Sequence, residues 1–546
     1  MSSATATVLG RLLRSSPLRH RRFRVFYFGS VGTALGYTMQ ATIAAWLMAT
    51  LTPSALMVAL VQTASATPSL LLGLAAGTLA DIVDRRRVLL ASQILLLGAT
   101  AALGVAAVAG LVGPATLLAL TFLVGVGFTF YMPTQQAMIN DLVPHAELPP
   151  AALLGAAAFN VSRAVGPALA GAMAAWMGSG YALLASALFF GGMIAAIRGM
   201  RRATPASLGI PETVVSGVAS GLRYARHAPP LRALLLRVVS FSLCASALFA
   251  LLPVVARDQL GMDAGGFGVL FGCFGAGAVA AAFVVPRRLQ RVSLNSVVNS
   301  GFVLWAAATV LVTSTSIVAV AMVGAVGAGA AWVSALASLS AGTQSSVPAW
   351  VRARALAMNL VAFQASMAVG SALWGWLASA AGLRITLAVS AAAALLLLAL
   401  NQRVRVALGH ESALRTGVQL PELAVVSEPL PDDGPVLIQM EYRVDPENRA
   451  AFLQAIQDVE PARRRNGASA WRIFRDLEDD SRFVERFVIA SWAEYVRLRA
   501  RLTFADQELQ DRVMRLQRRG VPLRISRLIG VQLEDALAAP DKAHAG

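Results

Sequence analysis

Apolar runs of about twenty residues, separated by short polar connections, fill the chain as far as residue 402. A helix needs roughly 20 apolar residues to cross the ~30 Å hydrocarbon core of a bilayer. The runs predict helices near 25–50, 55–80, 88–110, 115–137, 150–176, 180–198, 233–256, 265–286, 295–313, 317–340, 355–380 and 383–401. These form two sets of six, joined by a long polar connection, 199–232, whose Leu208–Tyr224 stretch could lie as a helix along the interface. Arginine clusters in every second connection, at 11–24, 85–87, 198–237, 287–291, 352–354 and 403–405. The alternate connections, near 51–54, 110–114, 178–180 and 313–316, carry no charge, and on that side only Arg257 and Arg384 are basic. Short loops rich in Lys and Arg stay in the cytosol. The pattern therefore predicts a multi-pass protein of the bacterial cytoplasmic (inner) membrane with both termini cytosolic.

A different pattern follows. Residues 403–434 hold several Pro, Gly and acidic residues and read as a linker. Val436–Val444 alternates apolar and polar positions as a half-buried strand does, and Pro446–Arg464 has an amphipathic helical period with Asp445 placed to cap it. Ala470–Leu477 and Phe483–Ser491 predict two more strands, Trp492–Leu516 a helix and Leu523–Ile529 a last strand. The order βαββαβ predicts a ferredoxin-like α+β domain over 435–535, ahead of a short tail, 536–546. The expected fold is an all-α membrane part of twelve transmembrane helices in two six-helix bundles, 25–198 and 233–402, behind a basic cytosolic segment, 1–24, and followed by that cytosolic domain.

Composition narrows the choice. A chain of 546 residues with 57% hydrophobic and 14% charged residues is too apolar for an ordinary soluble multidomain protein. Residues 1–434 hold 27 basic and 12 acidic residues, 27 − 12 = +15, against 19 − 17 = +2 for residues 435–546. The excess charge sits on the rim of the membrane part, where it orients helices and meets anionic lipid, and no nucleic-acid partner is expected. The first apolar run continues to about residue 50, too long for a signal-peptide core. Cys244 and Cys273 are isolated within apolar segments and form no metal pattern, so neither metal nor cofactor is expected.

The two sets of helices echo each other at a constant offset of 204 residues. Val143-Pro144, Val165-Gly166 and Ala170-Gly171 fall on Val347-Pro348, Val369-Gly370 and Trp374-Gly375, and Asn160 falls on Gln364. Parallel six-helix repeats place a substrate path between them near the bilayer midplane.

The sharpest motif, Gly77-Thr-Leu-Ala-Asp81-Ile-Val-Asp84-Arg85-Arg86-Arg87, lies between the second and third helices. Here the chain resembles the major facilitator superfamily, whose signature in this loop runs Gly-x-Leu-Ala-Asp-x-x-Gly-Arg-Arg. Asp84 stands at the second glycine, a substitution common in the bacterial exporters that include the enterobactin exporter, the transmembrane secretion effectors. The resemblance covers roughly 20–405. It implies that Asp81 meets the N-terminus of helix eleven, near Trp350–Arg352, when the cytoplasmic gate is shut, with Arg85 and Arg86 as supports. A carboxylate at a positive helix end, backed by guanidinium groups, is stabilised in this way. Arg85, Arg86 and Arg87 are topology determinants as well. The matching loop of the second half, Pro286–Arg291, keeps the arginines but has no acid.

Helix five carries Asn160-Val-Ser-Arg163-Ala-Val-Gly166-Pro167-Ala-Leu-Ala170-Gly171, similar to the Gly-Pro-x-x-Gly-Gly motif of exporters in the superfamily, with Ala170 in place of one glycine. Small residues let helices approach closely, and Pro167 removes a backbone donor. Arg163 lies mid-segment, so it faces a water-filled cavity, pairs within the bundle or snorkels to the cytosolic edge. In the cavity it could bind an anionic substrate. Gln40, Gln62, Tyr131, Gln135, Asn160, Asn359 and Gln364 are the further candidate cavity residues, with Trp46 and Trp332 as aromatic walls. No acid lies deep in any predicted helix: Asp81, Asp84, Asp141, Glu147, Asp258 and Asp263 all sit at ends or in connections. Asp141 is the nearest candidate proton carrier, and proton antiport is what the family resemblance implies.

The last hundred residues resemble the antibiotic-biosynthesis-monooxygenase-like α+β fold, through Arg486–Tyr495 and Thr503-x-x-Asp506. The segment has no nucleophile–base pair and no His within 435–535, which favours a docking or regulatory module, a route to homo-oligomers, over an enzyme. The leading expectation is a secondary active exporter of a small siderophore-like or amphiphilic drug-like molecule, coupled to protons. The alternative is a membrane-tethered enzyme or ligand sensor acting through the C-terminal domain.

Overall fold

The computed structural model describes residues 17–144, 147–199, 222–402 and 429–531, apart from some side chains within its helices. Most of the 199–232 connection, including all of its Leu208–Tyr224 stretch before residue 222, and most of the 403–434 linker lie outside the described residues. Twelve helices of 19 to 33 residues come first: α1 (Arg21–Leu51), α2 (Ala55–Ile82), α3 (Arg85–Val108), α4 (Pro114–Leu142), α5 (Leu148–Met177), α6 (Ser179–Arg198), α7 (Pro229–Val254), α8 (Ala264–Leu289), α9 (Leu294–Ser314), α10 (Val318–Ser345), α11 (Ala349–Ala381) and α12 (Leu383–Asn401). Among the described residues, ten of them contain a stretch long and apolar enough to cross a membrane. At the arginine-rich end several outrun the apolar stretches that predict them: α4 continues to Leu142 and α11 starts at Ala349. Hydrocarbon thickness fixes only the apolar part of a span, and polar turns extend it.

The sequence then forms β1 (Val436–Arg443), α13 (Arg449–Arg465), β2 (Ser469–Arg475), β3 (Arg482–Ile489), α14 (Trp492–Arg501), α15 (Phe504–Met514) and β4 (Arg524–Ile529). The strands make one antiparallel sheet in the order β2-β3-β1-β4, with Val436 opposite both Ile489 and Ile529. Alternate residues of β1 (Val436, Ile438, Met440 and Tyr442) face a core shared with Phe452 and Ile456 of α13 and Trp492, Tyr495 and Leu498 of α14. Two expectations are corrected here. The helix expected over Trp492–Leu516 is broken at Leu502, because Thr503 starts a new one: its hydroxyl accepts from Asp506 N–H, and Asp506 accepts from Thr503 N–H. Asp445 caps no helix; its carboxylate pairs with Arg518 at 2.7 Å, and a 3-10 turn, Pro446–Asn448, precedes α13.

The chain divides into two compact units. One contains Met1–Pro211, Leu235–Ala341 and Ala357–Val406. The other contains Glu212–Leu234, Gly342–Leu356 and Ala407–Gly546, and so joins the sheet domain to the first turns of α7 and α11 and the last turn of α10.

Candidate translocation site

The two six-helix sets meet along seams at the charge-poor end of the helices. Where α5 crosses α8, a Cβ built on Gly171 would lie 2.6 Å from the Cα of Gly268, and the reverse holds equally. Backbones approach this closely only where neither residue has a side chain. Pro167 brings its carbonyl to the same contact and, lacking an N–H, leaves the carbonyl of Arg163 without its usual helical donor. Gly166 faces α1, where a Cβ would overlap Thr38, whose hydroxyl donates to the Ser162 carbonyl at 3.1 Å. A second seam joins α2 and α11: Thr63 donates to the Ala368 carbonyl at 2.9 Å, and Leu56 N–H to Ser379 Oγ at 3.0 Å. Trp46 stacks on Phe267 with centroids 5.5 Å apart, over a small apolar void bordered by Thr42, Ile43, Ala170 and Gly171. Arg257, just beyond α7, donates to the Thr52 carbonyl at the end of α1 at 3.0 Å. All these contacts lie between mid-helix and the charge-poor end, so the two halves are sealed on that side.

Further in, the guanidinium of Arg163 on α5 stands 5.3 Å from the ring centroid of Trp332 on α10, joining one half to the other. Trp332 is buried, with Phe249 stacked at 5.4 Å, Phe363 edge-on at 5.7 Å, and Phe241, Phe274 and Trp305 around it. On the other half, Tyr37 stacks on Phe128 at 3.7 Å and hydrogen-bonds Ser65. Gln62, Gln135, Asn359 and Gln364 are half-buried and Asn160 is exposed. Gln40 is buried, its amide nitrogen without a partner. Tyr131 is buried against Phe23, Phe26 and Leu89 inside the first bundle. Trp332 was an expected aromatic wall, but the rings packed around it and Arg237 are functional candidates that sequence reasoning missed. Arg237 is fully buried and ties α7 to Asn299 of α9 at 3.2 Å and to the Asn401 carbonyl at the end of α12 at 3.1 Å. The rings are scattered from residue 241 to 363 and only tertiary packing unites them. Arg237 was visible only as one more basic residue at a helix end.

At the arginine-rich end, Asp84 is the N-cap of α3 and accepts from Arg86 N–H at 3.0 Å, with Arg87 4.0 Å away. Arg85 reaches α4, binding both carboxylate oxygens of Asp141 and the Ala137 carbonyl at about 3 Å. Arg86 caps α6 through the Arg198 carbonyl at 3.1 Å. Gly77 has open space where a side chain would be. Asp81 belongs to the last turns of α2, and its side chain lies outside the described set. The two loop arginines thus lace the first bundle together.

Within the second unit, the start of α11 meets the sheet domain. The guanidinium of Arg501 on α14 lies 4.3 Å from the ring centroid of Trp350, and Tyr224 sits edge-on to the same ring at 5.6 Å. Glu494 accepts from Arg223 at 2.8 Å and from Arg497 and Arg501 at 3.0 Å each. Burial works to raise the pKa of Glu494, but the three guanidinium groups outweigh it and hold the carboxyl below the usual range. Burial pushes the Tyr224 phenol up to about 12.

Two six-helix sets that meet along small-residue seams, with polar and aromatic groups between them, are the architecture of a multi-pass membrane transporter of the major facilitator type. The sequence profile of the transmembrane secretion effectors matches residues 14–534, and the chain belongs to that family. It is 30% identical over 198 residues to the multidrug efflux pump Tap of Mycolicibacterium fortuitum, covering 35% of this chain and 48% of that protein. The corresponding pump of Mycobacterium tuberculosis is 29% identical over 216 residues, covering 38% and 51%. The chain thus spans about half the length of the curated relatives it matches. Among solved structures, a bacterial homologue of the human lysosomal transporter Spinster, inward-facing and unoccupied, aligns over 71% of this chain and 98% of that one, with a TM-score of 0.59 and 14% identity. The nucleoside transporter NupG aligns over 70% and 98%, with a TM-score of 0.57 and 13% identity. These likenesses show the fold.

Proposed function

We propose that the chain crosses the bacterial inner membrane twelve times, with both termini cytosolic, and exports a small amphiphilic or siderophore-like molecule by alternating access. The observation that carries this reading is the seal at the charge-poor end: α5 against α8 and α2 against α11, closed by glycine contact and a few hydrogen bonds. A seal made of small residues and few polar contacts is cheap to open, as a rocking pair of bundles requires. By the distribution of arginine the sealed end is read as the outward one. The reverse arrangement closes the arginine-rich end, with Asp81 as the latch acid toward the N-terminus of α11. Protons are the proposed coupling ion, and no cofactor takes part. The C-terminal domain is read as ferredoxin-like from its strand order, with a docking or regulatory role and a capacity to pair with a second copy.

The test uses inside-out vesicles holding the full chain and an imposed proton gradient, with ethidium and 2-naphthoate as fluorescent probes. Accumulation of either probe, abolished by dissipating the gradient and lost in Asp81→Asn at equal protein abundance, is expected. Accumulation only in right-side-out vesicles overturns the direction, and a fully active Asp81→Asn overturns the latch.

A further inference from the structure

We infer that the central site recognises substrates joining a flat aromatic ring to an anionic group. The inference rests on the transporter reading above and deepens it. Its starting point is the charge on Arg163, midway along α5. The backbone there is held in place, since Ser162 is bonded by Thr38 of α1 and Ala164 packs on Gly275 of α8. Arg163 cannot leave that depth without breaking both contacts.

Its guanidinium has five N–H donors and no acceptor capacity. Among the described residues it makes no hydrogen bond and no ion pair; it stands over the face of Trp332, with Tyr37 as a second, uncharged neighbour. A ring face stabilises the cation but leaves its in-plane donors free. Other arginines of the same unit are provided for. Arg237 has Asn299 and the Asn401 carbonyl, Arg85 has Asp141, and Arg257 has Asp258 and the Thr52 carbonyl. Among the described residues none offers Arg163 a counter-charge at that depth: Asp84, Asp141, Glu147, Asp258 and Asp263 all lie at helix ends or in connections, and in the sequence Asp81 stands one residue before the end of α2. A membrane-depth cation without a partner is costly and marks an ion or substrate route. The missing partner is an anion that arrives from outside the chain.

The surroundings specify the rest of the ligand. Trp332 is buried, but Phe249, Phe271 and Phe363 of the cluster around it are only half-buried. Phe271 extends the cluster, 5.3 Å from Phe249 and 5.7 Å from Phe274. Planar rings stack or pack edge-on against such faces at centroid distances of about 4.5–7 Å. A carboxylate or comparable oxyanion on the same molecule would take the free donors in the bidentate geometry that guanidinium favours.

Calorimetric titration of the full chain in lipid nanodiscs tests this with three probes: 2-naphthoate, its neutral isostere 2-naphthalenemethanol, and the non-aromatic cyclohexanecarboxylate. The wild type is expected to bind 2-naphthoate at least about tenfold more tightly than either other probe. Arg163→Gln should erase the preference for naphthoate over the alcohol, and Arg163→Lys should keep part of it. Equal binding of the alcohol and naphthoate by the wild type overturns the anionic half of the inference, without reliance on any variant. Equal competition by cyclohexanecarboxylate or chloride overturns the aromatic half and leaves a simple anion site. An unchanged preference in a folded Arg163→Gln removes the residue from recognition. Ethidium accumulation in vesicles is followed alongside: selective naphthoate binding with no transport of either probe overturns the exporter reading alone.

Discussion

Three guanidinium groups converge on Glu494, from Arg223, Arg497 and Arg501. Because its carboxyl is held below the usual range in the folded protein, its contribution is complete above the unfolded carboxylate pKa of about 4.3 and is lost as pH falls through the lower, folded value. Unfolding of the C-terminal domain, followed by tryptophan fluorescence, should therefore be flat from about pH 8 to 5 and shift to lower temperature below about pH 4. Glu494→Gln should flatten the acid limb and lower the plateau; an acid limb unchanged in that variant would place its origin in other carboxylates. Asp84 illustrates a residue whose chemistry was only half legible. Its departure from the superfamily glycine is plain in sequence, but its role as N-cap of α3 depends on a φ of −51° and an N–H donor two residues on. Arg85 was legible as a loop cation, whereas its partner Asp141, 56 residues away, required the packing of α3 on α4.

At the scale of the helices, periodicity and apolar length were enough to find the membrane part and the small sheet, because burial in lipid and in a sheet core imposes those patterns directly. The Gly166-Pro167 and Gly171 motif was equally visible, yet nothing local shows that Gly171 meets Gly268 while Gly166 meets Thr38. That assignment depends on how α5 faces two neighbours at once. The break at Thr503 was hidden for another reason: an amphipathic period can continue across a cap, so Trp492–Leu516 reads as one helix until the Thr503–Asp506 box is seen. The seam makes its own prediction. Gly171→Leu adds a side chain where a single Cβ would already fall 2.6 Å from Gly268, so the sealed arrangement should be destabilised by about 1–3 kcal/mol. Cysteines placed at Leu56 and Ser379, whose backbone and side chain are hydrogen-bonded across the second seam, report on closure. Their crosslinking yield should fall several-fold in Gly171→Leu, and Gly171→Ala should give an intermediate effect. Unchanged crosslinking would mean that the two seams open independently.

At the scale of the whole chain, the division into units cuts across the helices. The first two turns of α11 belong with the sheet domain, while its remainder, including Ala368 and Ser379, belongs to the sealed helical unit. One continuous helix therefore carries Trp350, packed by Arg501 and Tyr224, at one end and a seam contact at the other. A cation–π contact of this kind contributes about 0.5–2 kcal/mol, and an exposed ion pair less, too little to drive transport. Removing residues 435–546 should accordingly leave probe accumulation within about threefold of the full chain once corrected for abundance, since the seams, Arg163 and the aromatic cluster all lie before residue 402. Abundance itself should drop, because Trp350 and Tyr224 lose the surface that buries them and become an exposed apolar patch. Arg501→Gln is the milder change: it removes the cation from Trp350 and one of the three partners of Glu494 but keeps the domain, so transport should be retained with abundance between that of the truncated and the full chain. Loss of transport on truncation, with abundance maintained, would instead place the activity in the C-terminal domain and make the helices its anchor.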